Sequence, residues 1–314
     1  MTTTDPNNEG PADQTGSDLE WPERGQTLAE WLDHGRAAWL RLGTANRWQT
    51  AADSPLRRDD LTLHAGAKSS NSGWFARLTM LGAADMLRGV AALYASTPVV
   101  PLSRAHFPVV RSVQEHLGQV IWLLEPGIQI TPIKDAPPTT THEVDTALFR
   151  ARSLRAALLH WQFARDACSA HSLEFGKGSP EHKAAVELRS EAKVVVGELG
   201  GDINDLPSST AFAEETIKLV YTLNREPITD ATKQVYKRLS ETAHGGLFGL
   251  YGDKTVDPAT GNYAFTQDND DLDAVARQLG IWWYATTQLV ASAHGWNWPN
   301  EFDEWGTKMR VLFV

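Results

Sequence analysis

The chain is poor in cysteine: Cys168 is the only one in 314 residues. It allows no intramolecular disulfide and no cysteine metal cluster. Positive charge is also scarce. The formal net charge is −10, and no basic run exceeds a pair such as Arg57-Arg58. A general nucleic-acid binder carries a basic patch or an overall basic charge, so broad nucleic-acid binding is disfavoured. A local RNA-cleaving site stays open. No run of about 18 apolar residues occurs, so no membrane span is expected. The N-terminal stretch has neither a basic nor an apolar segment, so it does not read as a signal peptide. A cytoplasmic location is the expectation.

What is present is ordinary for a globular protein, with 42% hydrophobic and 22% charged residues. Tryptophan is the exception. There are twelve, and most are expected in a core, because a large indole is buried on average.

Residues 1–20 are rich in Thr, Asp, Asn, Gly and Pro and read as a disordered acidic tail. Residues 21–314 read as a single helical domain. Apolar residues recur at helical spacing over 26–43, 73–95, 104–125, 143–175, 180–199, 209–224, 229–250, 268–294 and 299–312. Ser179-Pro180 is a cap followed by proline in the first turn. Residues 49–72 read as a loop with a short helical turn near 58–65, and 126–141, with four prolines, as a loop. The 180–199 helix has a more polar face and is expected outside the core. Lys254-Thr-Val and Asn262-Tyr-Ala-Phe flank the turn Asp257-Pro-Ala-Thr-Gly261, which predicts a small β-hairpin within 251–267. The expected fold is all-α: a multi-helix bundle of about nine helices with that one hairpin.

The stretch Gln234 to Gly246 draws the most attention. Tyr236, Ser240 and His244 stand four residues apart and share one helical face. Such groups donate, accept or transfer protons, or form a buried ladder that fixes helix register. Arg111 and Glu115 have the same spacing on the 104–125 helix, and His116 follows. The two sets could combine into one polar site inside the bundle, or Arg111 and Glu115 could simply pair along their own helix.

An arginine followed five or six residues later by a histidine recurs at Arg58/His64, Arg111/His116, Arg155/His160, Arg165/His171 and Arg238/His244. Glu241-x-x-His244 lacks the second copy that a bundle di-metal site needs. The acidic run Asp268 to Asp273 lacks the glycine and distal glutamate of a calcium loop. No phosphate loop, nucleophile elbow or dinucleotide fingerprint occurs. No cofactor or metal is expected. Cys168 reads as a small buried hydrophobe. Trp122, Trp161, Trp282 and Trp283 could instead line a small-molecule pocket.

The pairing of Arg111-Ser-Val-Gln-Glu-His-Leu-Gly-Gln-Val-Ile-Trp-Leu-Leu-Glu-Pro126 with Tyr236-Lys-Arg-Leu-Ser-Glu-Thr-Ala-His-Gly resembles a group of uncharacterised all-helical actinobacterial proteins. More distantly the pattern is similar to the HEPN superfamily of helical bundles. Many of its members are metal-independent ribonucleases of toxin–antitoxin or phage-defence systems. That resemblance implies arginine as phosphate stabiliser, histidine as general acid or base, and a homodimer. Arg111-Ser112 to His116 and Arg165-Asp166 to His171 match its arginine-polar-histidine spacing; at Arg238 a leucine follows the arginine. Two readings therefore stand. One is a non-enzymatic interaction or regulatory protein with a buried polar cluster and an unknown protein partner. The other is a HEPN-like ribonuclease acting on RNA through Arg111, Glu115, His116, Tyr236, Ser240 and His244.

Overall fold

The computed structural model describes residues 23–63, 72–96, 106–125, 128–133, 136–142, 146–224, 239, 254–256, 263–265 and 269–313. The body is helical. In chain order come α1 (Glu23–Ala45), α2 (Pro55–Leu63), α3 (Ser72–Ala95) and α4 (His106–Leu124). A strand pair follows, β1 (Ile128–Ile133) and β2 (Ala136–His142). Next are α5 (Thr146–Glu174), α6 (Pro180–Glu198), a 3-10 turn at Ile203–Asp205, and α7 (Ser209–Asn224). A second strand pair, β3 (Lys254–Val256) and β4 (Tyr263–Phe265), precedes α8 (Asn269–His294) and α9 (Asn300–Leu312). No described helix is long and apolar enough to cross a membrane.

The apolar periodicity explains which face each helix buries. On α1, Leu28, Trp31, Leu32, Trp39 and Leu42 are buried, a spacing of three, four and seven that makes one stripe. That stripe meets α3, α8 and α9. Trp31 stacks on Trp305 of α9, with ring centroids 4.8 Å apart and planes 10° apart. The two indoles are latched reciprocally. Trp305 Nε1 donates to the Trp31 carbonyl at 2.7 Å, and Trp31 Nε1 to the Trp305 carbonyl at 3.4 Å. Buried indoles of this kind keep their N–H satisfied while their rings fill the core. Trp283 of α8 does the same, donating to the Gly35 carbonyl at 3.0 Å.

Two ion pairs pin the periphery to this core. Arg24, 4% exposed, grips Asp273 at 2.8 Å and also donates to the Leu312 carbonyl, which ties α1 to α8 and α9. Nearby, Tyr94 donates to the Leu272 carbonyl at 3.0 Å. Burial, reinforced by the charge of Asp273, pushes the phenol pKa well above its ordinary value. The second pair is fully buried. Arg152 of α5 and Asp59 of α2 are both 0% exposed and make two parallel hydrogen bonds, of 2.8 and 2.9 Å. This fork-to-fork geometry is the strongest an arginine and a carboxylate make. The Phe149 ring lies against the guanidinium, 5.0 Å from centroid to Cζ.

The short helical turn expected near 58–65 is α2, a helix of nine residues starting at Pro55. Proline at a first helical position forfeits a hydrogen bond that would be missing anyway. The expected loop over 126–141 is a correction: much of it is the antiparallel pair β1–β2. Its register runs from Ile128 opposite His142 to Thr131 opposite Thr139, then shifts before Ile133 meets Ala136. Pro132 sits at the shift. Prolines lack an N–H, and Pro132, Pro137 and Pro138 all fall within that shift, where the ladder is interrupted. Farther on, β3 and β4 pair antiparallel, with Thr255 opposite Ala264. Helix α6 packs on α5 and buries only Ala185, Ala192 and Val196, in keeping with its polar face. Cys168 is buried. Of the expected helix 229–250 only Leu239 is described; it is helical and buried.

Candidate functional site

The α4 half of the expected site is in view. Val110, Val113, Leu117, Val120, Ile121 and Leu124 face the core, and this turns Arg111, Ser112, Glu115 and His116 to the helix's partly open flank. Arg111 Nε donates to Glu115 at 2.7 Å, one turn along the same helix. The pair is half-sheltered, with side-chain exposures of 12% and 22%. It is the intrahelical pairing weighed from the sequence.

His116 is held by its own helix as well. Its Nδ1 lies 2.7 Å from the Ser112 carbonyl. A carbonyl can only accept, so Nδ1 carries the proton and Nε2 of the neutral ring keeps its lone pair. The Nε2 edge lies against α3 at Gly82. A Cβ there would come within 3.0 Å of His116 Cδ2 and 3.2 Å of Nε2. Glycine at 82 thus makes room for the imidazole between α3 and α4.

One residue of the motif does something the spacing did not announce. Gln114 is fully buried, and its Nε2 donates to the Ala213 carbonyl at 3.2 Å and to Thr216 Oγ1 at 3.0 Å, both on α7. Thr216 in turn donates to the Ala213 carbonyl at 2.7 Å. This polar seam fixes α4 against α7, beside the point where Gly118 meets the Phe212 backbone. The sequence signal that could have found it is a glutamine in an otherwise apolar helical stripe.

Tyr236, Ser240 and His244 lie outside the described residues, as do His64 and Arg238. The remaining arginine–histidine pairs do not converge. Arg155 bonds the Trp122 carbonyl and Glu125, with the indole of Trp122 5.0 Å away. His160, five residues on, is buried against Phe75 instead. Arg165 pairs with Asp166, while His171 meets the Glu181 carbonyl. The four tryptophans considered for a pocket are likewise dispersed. Trp282 and Trp283 are core, Trp122 packs edge-on against Phe212, and Trp161 lies beneath Arg165. Among the described residues no group of three or more His, Cys, Asp or Glu is placed to hold a metal ion.

A second polar centre escaped the sequence reading, which saw His294 only as a helix end. His294 is fully buried at the end of α8, stacked on Trp296 at 4.6 Å. Its Nδ1 is 3.0 Å from Thr50 Oγ1. Arg77 of α3 donates to the same hydroxyl at 3.3 Å. Arginine only donates, so the Thr50 oxygen accepts from it, and its hydrogen or its second lone pair meets Nδ1. Burial, aided by the Arg77 charge and only partly offset by the Gly73 backbone, lowers the His294 pKa to about 3. Burial also lowers that of His160.

A pH dependence follows. Above about pH 6.5 the imidazole is neutral in both folded and unfolded chains, and this residue adds no slope. Between about 6.5 and 3 the unfolded chain binds a proton that the fold refuses. Stability therefore falls as pH falls, by about 1.4 kcal/mol per unit, or about 2 kcal/mol by pH 5. Thermal melts of the wild type and His294→Gln at pH 7.5 and 5.0 check it: the gap between the two proteins should narrow at pH 5.0. An unchanged gap would mean that His294 is protonated in the fold.

No protein-family model matches the chain, and no curated protein or solved structure matches it either.

Proposed function

We propose that this is a cytoplasmic, non-enzymatic interaction or regulatory protein, and that the polar residues of α4 set helix register rather than carry out a reaction. Its partner, on this reading, is another protein. One observation carries it: the functional groups of α4 are already engaged by α4 itself. The Arg111 guanidinium is bonded to Glu115, and the His116 Nδ1 proton is committed to the Ser112 carbonyl. A guanidinium already paired with a carboxylate has part of its charge neutralised and attracts a phosphate less strongly. We expect Arg111→Ala to cost about 1 kcal/mol, the upper end for an ion pair that water still reaches. His116→Ala should cost about 2 kcal/mol, through lost packing at Gly82. Both should leave RNA untouched. Melting curves and incubation of each purified protein with labelled RNA decide it. A variant that keeps its full melting temperature while abolishing a cleavage seen with the wild type would sink the proposal.

A second reading, a HEPN-like metal-independent ribonuclease of toxin or phage-defence type, draws support from one feature. The His116 tautomer leaves Nε2 able to take a proton, with Arg111 five residues before it. Tyr236, Ser240 and His244 would complete such a site, with Arg stabilising phosphate charge and His acting as acid or base. If wild type, His116→Ala and His244→Ala all leave RNA intact, this reading fails.

A further inference from the structure

The link between α1 and α2 opens with a strained turn. Arg47 and Trp48 both adopt left-handed backbone conformations, at φ of 52° and 54°. Two successive non-glycine residues there cost energy and persist only where the surroundings fix them. Trp48 N donates to the Gly43 carbonyl at 2.7 Å. The Trp48 ring packs edge-on against Trp39 and Trp296, with centroids 5.6 and 6.1 Å away. Past the turn, Trp296 Nε1 donates to the Gln49 carbonyl at 2.5 Å, and Ala51 N to the His294 carbonyl at 2.9 Å. These bonds clasp the residues on either side of Thr50 to the end of α8. Thr50 itself is non-helical and partly exposed, and Arg77 of α3 donates to its hydroxyl at 3.3 Å.

We propose that Thr50 is a phosphorylation site and that Arg77 receives the phosphate. In the transfer the Thr50 hydroxyl oxygen bonds to the terminal phosphorus of a nucleoside triphosphate. The bond to the departing nucleoside diphosphate breaks, and the hydroxyl proton passes to the base of the protein kinase that carries out the step. The product carries nearly two negative charges and three acceptor oxygens. Arg77 brings a fork of N–H donors that already reaches the hydroxyl, and bonds between charged partners are about twice as strong as neutral ones. The modification thus tightens the join between α3 and the clasp. Local charge favours it, although the chain as a whole has a net charge of −10. Arg47, Arg57 and Arg58 are exposed in the same segment. Asp59 is spent on Arg152, which leaves Asp53 as the one exposed acid over 46–59.

Arg47 stands three residues before Thr50, an offset that arginine-directed kinases read through their own acidic groups. The same offset occurs before Thr27, Thr44 and Ser153, but all three are helical. Thr27 and Thr44 turn their hydroxyls onto the Glu23 and Leu40 carbonyls of their own helix, and Ser153 is 2% exposed. Of the four, Thr50 alone combines an irregular backbone with a cation at its hydroxyl. The proposal holds whether the α4 cluster is structural or catalytic.

Incubation of the full chain with magnesium ATP and the catalytic subunit of cyclic-AMP-dependent kinase tests it. We expect one phosphate, mapped to Thr50 by mass spectrometry, absent from Thr50→Val and slower to form in Arg47→Ala. The phosphorylated wild type should melt about 3 °C or more above the unmodified chain. That gain should vanish in Arg77→Gln, which still accepts the phosphate. Thr50→Glu and Thr50→Gln repeat the comparison without a kinase: the glutamate variant should melt above the glutamine variant only where Arg77 is present. Circular dichroism establishes that every variant is folded. A chain left unmodified at Thr50, or a melting shift that is the same with and without Arg77, overturns the proposal.

Discussion

Arg152→Ala is expected to destabilise the protein by about 3–5 kcal/mol. The guanidinium and the Asp59 carboxylate are both 0% exposed, so truncation strands a charge that water cannot reach. At about 2–4 °C per kcal/mol, the melting temperature should drop by roughly 6 °C at the least. Asp59→Ala should be similarly severe, because it leaves the cation. The informative variant replaces both, Asp59→Leu with Arg152→Met. Buried pairs exchanged for apolar side chains of similar volume are often neutral or stabilising, so the double variant should recover most of the loss. Thermal melts of the three proteins measure this. If the double variant is as unstable as the singles, the pair anchors α2 on α5 by more than charge compensation.

Gly118→Ala should be comparably damaging, although it adds a single methyl to a good helix position. Its Cβ would stand 1.8 Å from the Phe212 carbonyl oxygen and 2.4 Å from the carbonyl carbon. Those atoms are α7 backbone, so no rotamer change relieves the clash and the two helices must separate. Gln114 then loses its reach to Ala213 and Thr216 in the same step. Overpacking of this kind costs about 3 kcal/mol or more. A companion variant, Gly197→Ala, meets nothing within 4 Å in the middle of the α6 C-terminal turn. It should be neutral or gain about 0.5–1 kcal/mol from helix propensity. The contrast separates crossing geometry from propensity; equal melting temperatures for the two would refute the close approach.

The helices were legible because an apolar stripe at a period near 3.6 is a local property. The expected helix over 73–95 differs from α3 by one residue at its start, and the helix expected after a cap at Ser208 or Ser209, running to about Asn224, is α7. The strand pair β1–β2 was hidden because prolines at 132, 137 and 138 read as breakers. They are acceptable because all three fall where the register shifts. The apolar residues of α3 were visible, but not their division: Phe75 and Val90 face inward, while Leu78 and Leu81 face out. Burial is decided by neighbours that are distant in sequence. The same limit hid the Asp59–Arg152 pair, whose members are 93 residues apart. It also hid the His294 centre, whose partners come from the 49–72 segment and α3. At the expected site, Arg111 and Glu115 meet as their spacing requires, whereas the Tyr236–Ser240–His244 face lies outside the described residues.

The indole latch between Trp31 and Trp305 spans 274 residues of sequence. Chains leave the ribosome at about 5–20 residues per second. Trp31 therefore emerges roughly 14–55 s before the ring that covers it, at those rates. During that interval α3 and then α8 can already meet the α1 stripe, but the Trp31 ring lacks its α9 cover. The Arg24 guanidinium waits still longer for the Leu312 carbonyl, 288 residues away. Closure of α1 is therefore completed late, and Trp31 stays partly open in each nascent chain until α9 arrives. Truncations within α9 should lengthen that exposure indefinitely.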